Sequence, residues 1–243
     1  MAERIDNTGF GDIKVIQNDG LGYGVDAVLL AAFAAGETGA SPIRNGARIC
    51  DLGTGSGIVS FILAHKISDT VITGVELRSA AAERAKRAAI LNSLTDRVEI
   101  VESDVKDYNS PEKFDAVVSN PPYFKHDAAI PCETTDKYVA RHETTADFGG
   151  FMKKASDILK ENGDCYIVHR PDRLADIFSE MRHYNIEPKE MQLVTPHPGE
   201  AANIVLVHGI KNAGIQLKML PEIPVHNADG NYTEIIQRIY ERV

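Results

Sequence analysis

Cysteine is scarce in this chain: three in 243 residues, at Cys50, Cys132 and Cys165. They lie far apart, and Cys50 and Cys165 sit inside apolar strand patterns, so no disulfide framework is expected and a reducing compartment is. The eight histidines show no ligand spacing with cysteine, so no metal centre is expected either. No apolar run approaches the roughly 18 residues of a membrane helix. No secretory signal precedes the first acidic residues, and a cytoplasmic protein that avoids membranes is the expectation. A basic surplus is also missing. The chain carries 26 Lys and Arg against 35 Asp and Glu, a net charge of −9. Enzymes of nucleic acids usually show a basic footprint, because phosphate contacts supply much of their affinity. Between Asn120 and Arg182 the bases, among them Lys125, Lys137, Arg141, Lys153, Lys154 and Lys160, are matched by acids. Composition does not point to RNA, and it does not exclude it.

What is present is ordinary for a soluble globular protein, with 43% hydrophobic and 25% charged residues. The length suits one α/β domain with a sizeable core. The chain is organised around Asp51-Leu52-Gly53-Thr54-Gly55-Ser56-Gly57, which follows the apolar Arg48-Ile49-Cys50 and precedes the apolar run Ile58 to Ala64. It reads as strand, glycine turn, helix. Alternate glycines permit positive φ and let a ligand approach the backbone. The helix behind them offers free N–H groups and the positive end of its dipole. A dinucleotide fingerprint would read G-x-G-x-x-G, but here the glycines fall at 53, 55 and 57 and position 58 is Ile58. Asp51, two residues before the first glycine, suits a cationic amino-acid group better than a pyrophosphate. Glu76 ends the next apolar strand, Val71 to Glu76, where a carboxylate would take the hydroxyls of a ribose. Together the two acids favour S-adenosylmethionine as the ligand.

In chain order, residues 1–10 carry no strong signal. Ile13 to Gln17 is strand-like and leads to a turn at Asn18-Asp19-Gly20. A helical run from Ala27 to Phe33 follows, with Asp26 as its expected N-cap. Tyr23 and Asp26 either pack at the sheet edge or close over one side of the ligand. Gly36 to Gly46 is a loop. A long helix runs from Ser79 to Leu91, with Arg84, Lys86 and Arg87 on a solvated face. The strand Val98 to Val101 ends at Glu102-Ser103-Asp104-Val105, where Asp104 could accept the amino protons of an adenine or make a turn. Further strands are expected at Phe114 to Ser119, Asp164 to Val168, Met191 to Val194 and Asn203 to Val207. A helix lies around Leu174 to Met181, and Pro196 to Gly199 joins the last two strands as a hairpin. Tyr232-Thr233-Glu234 reads as the entry to a final helix.

The strand Phe114 to Ser119 runs straight into Asn120-Pro121-Pro122-Tyr123. Successive prolines fix φ and push Asn120 away from the helical region, so the turn is stiff. It presents two acceptors, the Asn120 side-chain oxygen and the Pro121 carbonyl, beside the flat ring of Tyr123. That set fits a planar –NH2 group on a π-system, whose lone pair is delocalised and poorly nucleophilic. Accepting both N–H protons favours a pyramidal nitrogen, and the stabilisation grows as positive charge develops on it. Tyr123 would hold the ring by stacking.

These motifs, in this order and spacing, resemble the class I S-adenosylmethionine-dependent methyltransferases that modify amino nitrogens. The resemblance covers about residues 20 to 210. It implies a Rossmann-like fold: a seven-stranded, mostly parallel sheet with helices on both faces and an antiparallel last strand. It further implies cofactor contacts from Tyr23, Asp26, Asp51, Gly53, Thr54, Gly55, Gly57, Glu76, Leu77, Asp104, Val105 and Asn120. Gly24-x-Asp26 with the apolar residues after it, Ala140-Arg141-His142-Glu143 and the tail Asp229 to Glu234 are similar to the bacterial valine-tRNA adenine-N6 methyltransferases, which modify adenine 37 beside the anticodon. Gly24-Val25-Asp26 departs slightly from that family's commoner Gly-Thr-Asp. By this likeness tRNA is the partner, and the loop from Phe124 to Phe148 shapes the base pocket. Tyr123, Phe124, Lys125 and Arg141 would meet the substrate.

Other readings share the catalytic turn. Protein glutamine methyltransferases acting on release factors carry the same tetrapeptide but usually a longer N-terminal helical domain. Guanine-N2 methyltransferases of ribosomal RNA commonly have a duplicated domain, and DNA adenine methyltransferases need a target-recognition region. A non-catalytic cofactor-binding module would have no use for an intact Asn120-Pro121-Pro122-Tyr123. The expected organisation is one methyltransferase domain over 1–243, with a covering segment (1–45), a catalytic core (46–210) and an extension (211–243).

Overall fold

The computed structural model of the protein describes residues 3–18, 23–121 and 148–242. The N-terminal residues, in which the sequence shows no strong signal, form a strand: β1 (Glu3–Asn7) pairs antiparallel with β2 (Lys14–Asn18), Ile5 opposite Ile16. β1 escapes a reading by pattern because Ile5 is its only apolar residue and stays 61% exposed. It stands by pairing with β2 rather than by burying a face.

The helix α1 (Val25–Ala34) is buried continuously from Ala27 to Ala34, as its all-apolar sequence requires. Its N-cap is Gly24 rather than Asp26. Asp26 lies inside the first turn, and its Oδ1 accepts the Ala27 N–H at 3.0 Å. The carboxylate folds back over residue 24, where a Cβ would come within 2.4 Å of Oδ1, so any larger residue there would have to turn the Asp26 side chain aside.

From there strands and helices alternate through β3 (Arg48–Leu52), α2 (Ile58–Lys66), β4 (Val71–Glu76), α3 (Ser79–Leu91) and β5 (Val98–Glu102), and β6 (Phe114–Ser119) follows β5 directly. After the undescribed stretch come α4 (Phe148–Ile158), β7 (Leu159–His169), α5 (Leu174–His183), β8 (Ile186–Thr195) and β9 (Ile204–Lys211). The order across the sheet is β8-β9-β7-β6-β3-β4-β5, parallel except for β9, which runs antiparallel to both β7 and β8. This is the expected seven-stranded core with its antiparallel last strand and its β8–β9 hairpin. Two short strands, β10 (Lys218–Met219) and β11 (Ile223–Pro224), add to β8 and bring the sheet to nine. The final helix α6 (Glu234–Ile239) starts after Thr233, as the sequence suggests. β7 begins five residues before the expected Asp164, its first half hidden in the polar Lys160-Glu161-Asn162-Gly163.

Side chains alternate across the sheet as the two-residue strand period demands. Ile49, Ala116, Val118, Tyr166 and Leu206 point into one apolar cluster, shared with α1, α2, α3 and α6. Cys50, Leu52, Val117, Cys165 and Ile167 point into the other, shared with α4 and α5. Both cysteines are buried thiols, and Cys132 lies outside the described residues.

Candidate active site

Parallel pairing brings four strand ends to one edge. Leu52 lies opposite both Val75 and Ser119, and Glu76 lies opposite Glu102. Gly53, Leu77, Ser103 and Asn120 therefore leave the sheet side by side. In an open parallel sheet that edge is where ligands bind. Two hydrogen bonds fasten the ends together: the Ser119 hydroxyl donates to the Leu52 carbonyl at 2.8 Å, and the Ser103 N–H donates to the Glu76 carbonyl at 3.0 Å.

The glycine turn is built as its spacing implies. Gly53, Gly55 and Gly57 have φ of 78°, 58° and 82°, and the Gly53 and Thr54 amides both donate to the Val75 carbonyl at 2.9 Å. Gly57 caps α2, and a Cβ there would meet the Phe61 ring at 2.6 Å. Among the described residues, a Cβ on Gly55 would find only the Gly53 carbonyl, at 4.0 Å, so none of them crowds this part of the turn. At Gly53 a Cβ would touch Phe151 of α4 at 3.4 Å.

The two acids of the site are both buried, at 1% exposure for Asp51 and 5% for Glu76. Asp51 is turned in on the turn itself: Oδ2 accepts from Thr54 Oγ1 at 2.6 Å and from Ser60 Oγ of α2 at 2.8 Å. Burial pushes its carboxyl up to about 6; the hydroxyls and the Ser60 amide work against that rise, and the nearby Glu76 charge adds to it. Glu76 lies at the rim. Its Oε2 accepts the Gly55 N–H at 2.9 Å, and its Oε1 accepts from the Arg78 N–H at 3.0 Å and Arg78 Nε at 2.9 Å. Arg78 itself is 43% exposed. Neither Ser60 nor Arg78 was singled out by the sequence, although each lies within ten residues of the acid it serves.

Beside Glu76, Leu77 is 43% exposed, an apolar surface at the rim. Asp104 uses Oδ1 to accept the Lys106 N–H at 2.8 Å, which makes a local turn, and Val105 is buried under it. Tyr23 and Asp26 stand at the start of α1. Past the far end of that helix, Glu37 pairs with Lys66, the last residue of α2, at 2.8 Å. Burial raises the Tyr240 phenol of the C-terminal segment, and Tyr23 and Asp26 are near enough to add to that rise. Tyr23 is half-buried, its N–H donating to Gln17 Oε1 at 3.2 Å, and burial raises its phenol.

Asn120 is partly buried and Pro121 buried at the end of β6. Pro122, Tyr123, Phe124, Lys125 and Arg141 lie outside the described residues. The bases that follow are mostly held by acids or carbonyls. Lys153 pairs with Asp157, Lys160 with Asp115 and Arg182 with Glu187, while the buried Lys154 donates to the Tyr108 carbonyl at 2.6 Å. α3 behaves alike: Arg87 pairs with Glu3 and Glu83.

Residues 26–183 match the family model described as methyltransferase small domain. Among curated proteins, a tRNA1(Val) (adenine(37)-N6)-methyltransferase of Bacteroides fragilis is 31% identical over 89% of this chain and 90% of its own length. One of Aeromonas hydrophila bearing the same name is 32% identical over 87% of this chain and 85% of its own. Among solved structures, a predicted O-methyltransferase from Agrobacterium tumefaciens superposes with a TM-score of 0.71 at 24% identity, covering 89% of this chain and 95% of that one. A T. thermophilus 16S rRNA N2 methyltransferase in complex with AdoMet and guanosine gives a TM-score of 0.56 at 18% identity, over 86% of this chain and 50% of that one. At those identities the structures speak for the fold alone. The family match and the curated relatives go further: this chain belongs to the methyltransferase small domain family and, within it, to the family of the bacterial tRNA1(Val) (adenine(37)-N6)-methyltransferases.

Proposed function

We propose that the protein transfers a methyl group from S-adenosylmethionine to the N6 amino group of an adenine in tRNA, at position 37 of a valine tRNA, as the names of its relatives suggest. The observation that carries the reading is the convergence of the glycine turn, Glu76, Asp104 and Asn120 on one sheet edge.

The cradle suits the cofactor chemically. No described residue crowds Gly55, which admits a ligand against the backbone. Glu76 keeps acceptor capacity at the rim for a ribose, and the exposed Leu77 offers an apolar surface for adenine. When bound, S-adenosylmethionine supplies a methyl carbon on a sulfonium, with a neutral thioether as leaving group. Asp51 acts as a brace that holds Thr54 and α2 in place. Gly53 and Gly57 shape the turn, with Thr54 between them, and Tyr23 and Asp26 close the amino-acid side. Asp104, with Val105 beneath it, takes the adenine amino protons.

On the substrate side, the Asn120 side-chain oxygen and the Pro121 carbonyl accept the two N–H protons of the target amino group. Pro122 keeps that turn stiff, and Tyr123 stacks on the base. Phe124, Lys125 and Arg141 belong to the wall that meets RNA. The target base must leave its stack to reach such a pocket, which an anticodon loop allows at small cost. Paired surface bases are compatible with this, since a loop held by few phosphates needs no wide basic groove. We read residues 1–243 as one methyltransferase domain, with 1–45 covering the site, 46–210 as the core and 211–243 as an extension.

The test is methyl transfer from radiolabelled S-adenosylmethionine to total tRNA, offered beside release-factor protein, followed by nucleoside digestion. Label is expected in N6-methyladenosine. Label in glutamine, or in N2-methylguanosine, would overturn the choice of substrate.

A further inference from the structure

Arg78 stands between Glu76 and α3. It is the N-cap residue of α3, in extended conformation with φ −82° and ψ 113°, and its own side chain bends back onto Glu76. An ionised carboxylate offers about four lone-pair positions. Three described donors take them up on Glu76: the Gly55 N–H on Oε2, and the Arg78 N–H and Nε on Oε1. One position is left, whereas the two hydroxyls of a ribose need two. The backbone amides of Gly55 and Arg78 are fixed by the glycine turn and by the start of α3. The guanidinium is the only one of the three donors on a rotatable side chain, and at 43% exposure it can move into water.

We propose that Arg78 occupies on Glu76 the acceptor position that the second ribose hydroxyl requires, so that the guanidinium must leave Glu76 before the cofactor is fully seated. This rests on the reading of Glu76 as the ribose acceptor. Arg78 is then a competitor built into the site. It keeps the buried carboxylate partnered while the crevice is empty, and it lowers the affinity for any nucleoside that carries the diol. The charge-assisted hydrogen bond is exposed on the arginine side and exchanges for water. Its loss should therefore change affinity by a modest factor, about three- to tenfold.

The sign of that change separates competition from support. If Arg78 merely held Glu76 in place, removing it would weaken binding. If it competes, removing it tightens binding. Calorimetric titration of S-adenosylhomocysteine into wild type, Arg78→Ala, Arg78→Gln and Glu76→Gln decides the matter, with circular dichroism reporting that each variant is folded. Adenosine and 2′-deoxyadenosine are titrated alongside. The expected result is three- to tenfold tighter binding to both Arg78 variants, a smaller gain for 2′-deoxyadenosine than for adenosine, and weaker binding to Glu76→Gln. Weaker or unchanged binding to the folded Arg78 variants, with Glu76→Gln still impaired, overturns the competition while leaving Glu76 as the ribose acceptor. If Glu76→Gln binds as tightly as wild type, the reading of Glu76 fails and the inference fails with it.

Discussion

Asp51 and Glu76 lie at the ends of neighbouring parallel strands, Asp51 one residue before the last and Glu76 the last, and both are almost wholly withdrawn from water, yet they are held in opposite senses. The donors to Asp51 come from behind it: the Thr54 hydroxyl of the turn and the Ser60 hydroxyl of α2. Those to Glu76 come from the rim: the amide of Gly55 and the backbone and side chain of Arg78. The described donors to one carboxylate thus belong to the fold, and those to the other lie at the rim of the crevice. Burial alone does not make an acid functional. Whether its donors belong to the fold or to the crevice decides the matter.

The largest change in stability is expected at Asp51. Replacement by Ala strips the acceptor from two buried hydroxyls; they lie 3.2 Å apart, so one can donate to the other and one donor is left unsatisfied, at about 1–3 kcal/mol. A loss of roughly 2 kcal/mol should lower the melting temperature by about 4–8 °C in a chain of this size. Asp51→Asn keeps the shape and the acceptor but removes the charge, and it should behave differently. The carboxyl is raised from 3.8 to about 6 in the folded protein. Stability from this group is thus fully present below its unfolded value and is lost as pH rises through about 6. Two units correspond to about 3 kcal/mol at most. In thermal melts the Asn variant should match wild type near pH 4 and gain on it by pH 8. Parallel curves for the two proteins would mean that Asp51 is not the strained group described here.

A smaller effect, of a different kind, is expected at Glu76. Glu76→Gln should leave the melting temperature within a few degrees of wild type and weaken S-adenosylhomocysteine by about 10- to 100-fold, the range of one charge-assisted hydrogen bond. If it lowered stability as much as Asp51→Ala and left affinity alone, the contrast between the two acids would collapse.

Sequence periodicity reached much of this arrangement. The bounds of β4, α3 and β6 follow from apolar runs that start and stop sharply, and the turn at Gly53, Gly55 and Gly57 needs positive φ at each glycine. Periodicity is silent where a segment is held by pairing or by tertiary cover. β1 has one apolar residue, and α4 opens with Phe148-Gly149-Gly150, a poor start for a helix judged by propensity. Direction is the other blind spot. A strand end can be read from the sequence, but the rotamer that turns Asp51 inward, or bends Arg78 onto Glu76, depends on neighbours brought in by the fold.

Methyl transfer to an amino nitrogen at the edge defined by the glycine turn and Asn120 is the activity we propose. It is tested most directly by Asn120→Ala, assayed for methyl transfer to tRNA under single turnover, with S-adenosylhomocysteine affinity measured on the same preparation. Loss of one acceptor of developing charge predicts a fall of about 10²- to 10³-fold in the rate, with affinity changed by less than tenfold. A variant that methylates tRNA at the wild-type rate would mean that Asn120 does not accept from the target nitrogen.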